Sequence, residues 1–123
     1  MLTKAEKKLW TDALRSGEYK RGQGLLVRQY SGCTYESFCC LGVACVVFGV
    51  PREGMAFEGC ASFLPDSLVD KMGMSNNGDV NSGVFLPGAE KALGFHSLTD
   101  ANDKGKTFQE IADFLDAYLI TSD

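Results

Sequence analysis

The 123-residue sequence has no Cys-x-x-Cys pair, a single histidine (His96) and only three prolines. Missing thiol spacing and one imidazole argue against the common zinc frameworks, so no structural metal and no cofactor are expected. No apolar run reaches the roughly 20 residues that a membrane-spanning helix needs. The longest weakly polar stretch is residues 38–50. The apolar core of a signal peptide is also missing, because Lys4, Glu6, Lys7 and Lys8 make the start of the chain polar. The mature chain is therefore expected to begin at Met1. The five cysteines (Cys33, Cys39, Cys40, Cys45 and Cys60) are odd in number, and adjacent Cys39 and Cys40 are badly placed to share a disulfide. A reducing cytosol is the simpler setting. Repeats, low-complexity tracts and long linkers are lacking, which leaves one domain over residues 1–123 as the expectation.

What is present centres on residues 38–49, Phe-Cys-Cys-Leu-Gly-Val-Ala-Cys-Val-Val-Phe-Gly, with three cysteines and no charge. Apolar residues on every side of a helix mean that other elements must cover it. Gly49 can end that helix and Pro51 prevents its resumption. Thr3 and Glu6 have the capping-box spacing, and Leu9, Trp10, Ala13 and Leu14 share one helical face, so an amphipathic helix is expected over residues 4–16. Thr107 and Glu110 repeat the capping box. Behind them Phe108, Ile111, Ala112, Leu115, Tyr118 and Leu119 form the apolar stripe of a C-terminal helix. Residues 65–73 read as a short helix, with Pro65 at the start and Gly73 beyond the end. Strands are expected over residues 25–30, 55–58 and 61–64 and on either side of the Asn77-Gly78 turn, and residues 31–37 read as a hairpin or loop. The fold class is thus α+β: a compact domain with a buried central helix, N- and C-terminal amphipathic helices and a small antiparallel sheet.

The net charge of −4 conceals an asymmetry. Residues 1–30 hold seven Lys or Arg against three acids, a balance of +4 that leaves −8 on the rest. Such a split marks either an anion-binding face or complementary charge between segments that pack together, and the second is the more ordinary origin. Arg15, Arg21 and Arg28 can grip phosphate or carboxylate in bidentate forks, Tyr19 or Tyr30 can stack on a base, and Gln23 can read polar edges. Gly22 and Gly24 can lend backbone amides to an anion while Arg15, Lys20, Arg21 and Arg28 supply charge, without the Lys-Ser/Thr of a P-loop or the third glycine of a dinucleotide fingerprint. Asn102 and Asp103 can orient a ligand, or serve a turn before Gly105. An acidic chain without a recognition-helix pattern disfavours double-stranded DNA.

A second chemistry is a cysteine nucleophile. Cys39 or Cys40 would open the central helix, where the helix dipole favours thiolate, and His96 and Asn102 follow in the Cys, His, Asn order of papain-like hydrolases. The local papain signature is missing, and buried structural cysteines are the more common outcome.

Three blocks carry a family resemblance. They are Trp10-x-x-Ala13-Leu14-Arg15-Ser16-Gly17-x-Tyr19 leading to Gly22-Gln23-Gly24, then Phe38-Cys39-Cys40-Leu41-Gly42-Val43-x-Cys45, and last Leu98-x-x-x-Asn102-Asp103-x-Gly105-x-x-Phe108-x-x-Ile111-Ala112-Asp113. Together they resemble a widespread family of small uncharacterised bacteriophage proteins, with Ala101 departing from the bulkier aliphatic residue expected there. The resemblance implies a phage product acting in the bacterial cytosol. The expectation is a non-enzymatic accessory protein that binds a small anionic, nucleotide-like molecule and counters host defence signalling. The ligand residues would be Arg15, Tyr19, Arg21, Gln23, Gly24, Arg28, Asn102 and Asp103. The alternatives are a hydrolase or transferase using Cys39 or Cys40 with His96 and Asn102, and an inhibitor that binds a host protein through the acidic C-terminal helix. A homo-oligomer is compatible with so small a domain, although no interface stripe stands out.

Overall fold

The structure, a computed structural model, describes residues 1–29 and 35–123. Cys33, Tyr30 and most of the loop expected over residues 31–37 lie outside the described residues. Helix α1 (Lys4–Arg15) starts where its capping box places it. Thr3 Oγ1 accepts the Glu6 N–H at 3.1 Å, and Glu6 Oε1 accepts the Thr3 N–H at 3.0 Å. Trp10 and Leu14 are buried, and the indole N–H donates to the Cys40 carbonyl at 3.0 Å, so the large ring enters the core with its polar atom satisfied.

Helix α2 (Cys40–Val47) is the central element, buried from Cys40 through Cys45. It begins two residues later than the start of the apolar run, because Phe38 is used in the sheet and Cys39 is the N-cap. Its coverage also ends early: Val46 is exposed, and Val47 and Phe48 are half-buried. Gly42 explains how the neighbouring chain lies so close. A Cβ at this position would run into the Leu26 carbonyl, which also accepts the Cys39 N–H at 3.3 Å.

Strands β1 (Lys20–Arg21), β2 (Val27–Arg28) and β3 (Ser37–Phe38) form a sheet in the order β1-β3-β2. The β2–β3 pair is antiparallel, but β1 runs parallel to β3, so this sheet is mixed rather than antiparallel. The cause is topological: β3 slides between two strands that are neighbours in sequence. Only Val27 and Arg28 of the strand expected over residues 25–30 are extended in a ladder. A separate antiparallel hairpin pairs β4 (Arg52–Glu53) with β5 (Ala56–Phe57), turning at Gly54. The strand expected over residues 61–64 does not form. Its backbone serves single long-range bonds instead, with Ala61 O accepting from Leu26 and Leu64 N–H donating to Asn76 O.

Helix α3 (Asp66–Met72) is bounded by Pro65 and by left-handed Gly73, in agreement with the sequence. Asn77-Gly78 is a turn, but not a hairpin turn: Val80 donates to His96 O and Gly78 O accepts from Leu98, so its partners lie far along the chain. Two short helices that the sequence reading left unassigned follow, α4 (Ala89–Leu93) and α5 (Leu98–Asp103). The chain closes with α6 (Phe108–Tyr118), started by the second capping box.

The fold is α+β, with α1, α5 and the β3 end of the sheet packed around α2. Helix α6 lies along α1, and the two are joined by charge as well as apolar contact. Arg15 reaches Asp113 at 2.7 Å and Asp116 at 2.6 Å. Lys7 Nζ donates to the Asp116 and Leu119 carbonyls at 3.1 and 2.9 Å, placing a cation at the negative end of α6. Lys71 pairs with Glu6 and Lys8 with Asp12. Of the cations in the first segment, Arg15 is thus matched by acids of another packed element and Lys7 by a helix end, while Lys8 is paired within α1.

Candidate functional site

The polar residues singled out by sequence meet at one end of α2, and Asn102 is what joins them. Its position at the end of α5 puts its side chain, with no exposed surface, against the first turn of α2. Asn102 Oδ1 accepts the Cys40 N–H at 3.2 Å, filling one of the amides that a helix start leaves open. Asn102 Nδ2 donates to Gly22 O at 2.7 Å and, at 3.4 Å, to Asp103 Oδ1. The Asn102 carbonyl accepts from Arg21 Nη1 at 2.6 Å, which sets a guanidinium at the negative end of α5. Asp103 Oδ1 accepts the Gly24 N–H at 2.9 Å. Gly22 N–H in turn donates to Phe38 O at 2.7 Å. A Cβ on Gly22 would strike Ser37 Oγ and Cβ, so a side chain cannot enter this crossing without displacing Ser37.

This network brings Arg21, Gln23, Gly24, Asn102 and Asp103 onto one rim. It also corrects two roles. Asn102 is a buried brace and not a group open to ligand. The Gly24 amide, offered as an anion donor, is occupied by the protein's own Asp103 carboxylate. Gln23 remains exposed, as do Lys20, Arg21 and Arg28 on the strands beside it. The structure withdraws two other candidates from the rim. Arg15 is held on the α1–α6 face, where the hydrogen bonds it donates to Asp113 and Asp116 raise its pKa further. Tyr19 meets Phe38 edge-on, ring centroids 5.3 Å apart, as part of the packing around the sheet. Tyr30 lies outside the described residues.

Burial weighs against the cysteine nucleophile, with Cys39 and Cys40 closed off from the surface. Cys39 Sγ accepts the Gly42 N–H at 3.4 Å as the N-cap of α2, the arrangement expected to favour thiolate. Desolvation outweighs it and pushes the Cys39 thiol up to about 11. Burial likewise raises Cys40 well above its ordinary value, and its Sγ–H faces Leu98 O at 3.8 Å. Burial pushes Cys45 up to about 12. At neutral pH these groups are protonated and closed to substrate. His96 does not complete a catalytic set either: its side chain is 78% exposed and pairs with Glu90. Those two residues line a separate groove of about 660 Å³ with Phe95, Asp100 and Lys104. Among the described residues, no group of three or more His, Cys, Asp or Glu is placed to hold a metal ion.

Sequence reasoning counted Lys20 among the cations of the rim but passed over Tyr35. Lys20 Nζ stands 4.9 Å from the centroid of the Tyr35 ring, next to the rim. The available signal was an aromatic residue inside the polar run Thr34-Tyr35-Glu36-Ser37, where no apolar stripe would take it into the core.

These features define a small α+β domain in which a charge-free central helix is capped by a braced polar rim, with its thiols sealed beneath. By sequence the chain belongs to the DUF8296 family, a domain of unknown function, which matches residues 2–119. No curated protein and no solved structure matches the chain. No helix among the described residues is long and apolar enough to cross a membrane.

Proposed function

We propose that this domain is a non-enzymatic binding protein whose rim, from β1 through residues 22–24, takes a small anionic, nucleotide-like molecule. The observation that carries the reading is the clamping of Arg21, Gly22 and Gly24 to Asn102 and Asp103, which fixes the loop that presents Gln23. A loop already tied down loses little conformational freedom when a ligand arrives, which is the economy expected of a binding face. Lys20, Arg21 and Arg28 supply positive charge there, while the burial of Cys39 and Cys40 weighs against the competing covalent chemistry. The resemblance of the three sequence blocks to small bacteriophage proteins supports a phage accessory role in the bacterial cytosol, in which sequestering a host signal nucleotide would blunt a defence response.

The test is thermal unfolding with a panel of mono-, di- and cyclic nucleotides. At least one nucleotide is expected to raise the Tm, and Arg21→Ala and Arg28→Ala are expected to lose that shift, each read against its own ligand-free Tm because Arg21→Ala also removes the bond to the Asn102 carbonyl. Stabilisation that persists unchanged in both variants, or that no nucleotide produces, rejects the reading.

A further inference from the structure

Tyr35 is 47% exposed, whereas Tyr19 and Tyr118 are half-buried and engaged with Phe38 and Phe114. The Lys20 ammonium is placed over the Tyr35 ring, holding its orientation by cation–π attraction. The strand register adds a second cation. Lys20 and Arg28 both pair with Ser37, one from each side, so the three residues form a row across the sheet. Directly paired positions face the same side, and two strand spacings set the Lys20 and Arg28 backbones roughly 10 Å apart. An aromatic ring with a cation over one face and nearly half its surface exposed, with another cation at that distance, combines the two elements that bind a nucleotide without reading sequence: a stacking platform and phosphate charge.

We infer that Tyr35, with Lys20 and Arg28, is the nucleotide subsite of the rim: a base stacks on Tyr35 and the phosphate lies between the two cations. The assignment rests on the anion-rim reading above and gives it a residue that decides ligand class. Free mononucleotide and single-stranded oligonucleotide share this chemistry, and the mononucleotide is the expected occupant because the row offers two cations rather than a long basic track. Inorganic phosphate alone would satisfy the charge but not the ring.

Calorimetric titration of AMP, a six-residue oligoadenylate and inorganic phosphate into the full chain tests this. Tyr35→Ala is expected to weaken AMP binding roughly tenfold or more, as loss of one stacked base does. Tyr35→Phe should retain it, and phosphate should bind weakly and equally to all three proteins. Circular dichroism confirms that the exposed substitutions leave the fold intact. AMP binding that falls in Arg21→Ala but is unchanged in Tyr35→Ala overturns the subsite and leaves the rim standing. Binding of phosphate as tight as AMP overturns the stacking role. Oligoadenylate bound in a Tyr35-dependent way while AMP is not would keep the ring's role and overturn the mononucleotide as occupant. Absence of binding by both nucleotides rejects subsite and rim together.

Discussion

At the scale of single residues, Asn102 shows how one buried amide can hold three segments at once. Its two side-chain ends satisfy the Cys40 N–H and the Gly22 carbonyl, groups 62 and 80 residues away in sequence. Removing the amide leaves both backbone groups buried without a partner, at about 1–3 kcal/mol each. Asn102→Ala is therefore expected to lower unfolding stability by roughly 2–6 kcal/mol, read as a shift in the urea midpoint. The thiols make a second prediction, on pH. The folded-state pKa of Cys39 is raised from 9.0 to about 11, so its contribution is fully present below pH 9 and is lost as pH rises toward 11. Cys40 and Cys45 act in the same direction. Stability measured by urea titration should fall across that alkaline window, and Cys39→Ala should flatten the fall relative to the parent protein. The sequence made Asn102 visible as a polar residue before a glycine, but not as a brace. Its partners are fixed by tertiary structure, and no local spacing encodes them.

At the scale of elements, legibility followed length and capping. Both capping boxes, at Thr3 with Glu6 and at Thr107 with Glu110, started helices where the sequence placed them, and Pro65 with Gly73 bounded α3. Helices α4 and α5, at five and six residues, are too short to show a helical period, so nothing in the pattern announced them. Two-residue strands cannot show alternation either, and the parallel pairing of β1 with β3 depends on where β3 inserts. The central helix was readable from its lack of charge, yet its closeness to the Leu26 segment rests on Gly42 alone. Gly42→Ala is expected to destabilise the protein by about 3 kcal/mol or more, because the added methyl meets a backbone carbonyl that cannot rotate away. Gly49→Ala is the contrast. That position has φ +70° but open space around it, so the cost should be limited to roughly 1–2 kcal/mol of left-handed strain. Urea unfolding of the two variants side by side separates the steric effect from the conformational one.

Over the whole molecule, the charge split divides into two uses. On one side, Arg15 and Lys7 join α1 to α6 and Lys71 of α3 meets Glu6 on α1, so two of the cations that made the first segment look like a ligand face are engaged in packing. On the other, Lys20, Arg21 and Arg28 stay at the surface beside the loop that Asn102 and Asp103 clamp. The sequence grouped Arg15 with these residues because they are close along the chain, whereas the fold sends α1 and β1 to different faces. The sealed cysteines beneath the rim then fit a scaffold that positions a binding surface. The most direct test is a backbone amide NMR titration of the full chain with AMP. The account predicts shift changes confined to residues 20–28, 35–38 and 102–104. Changes centred instead on the Glu90–His96 groove, or on the α1–α6 face around Arg15, would contradict it.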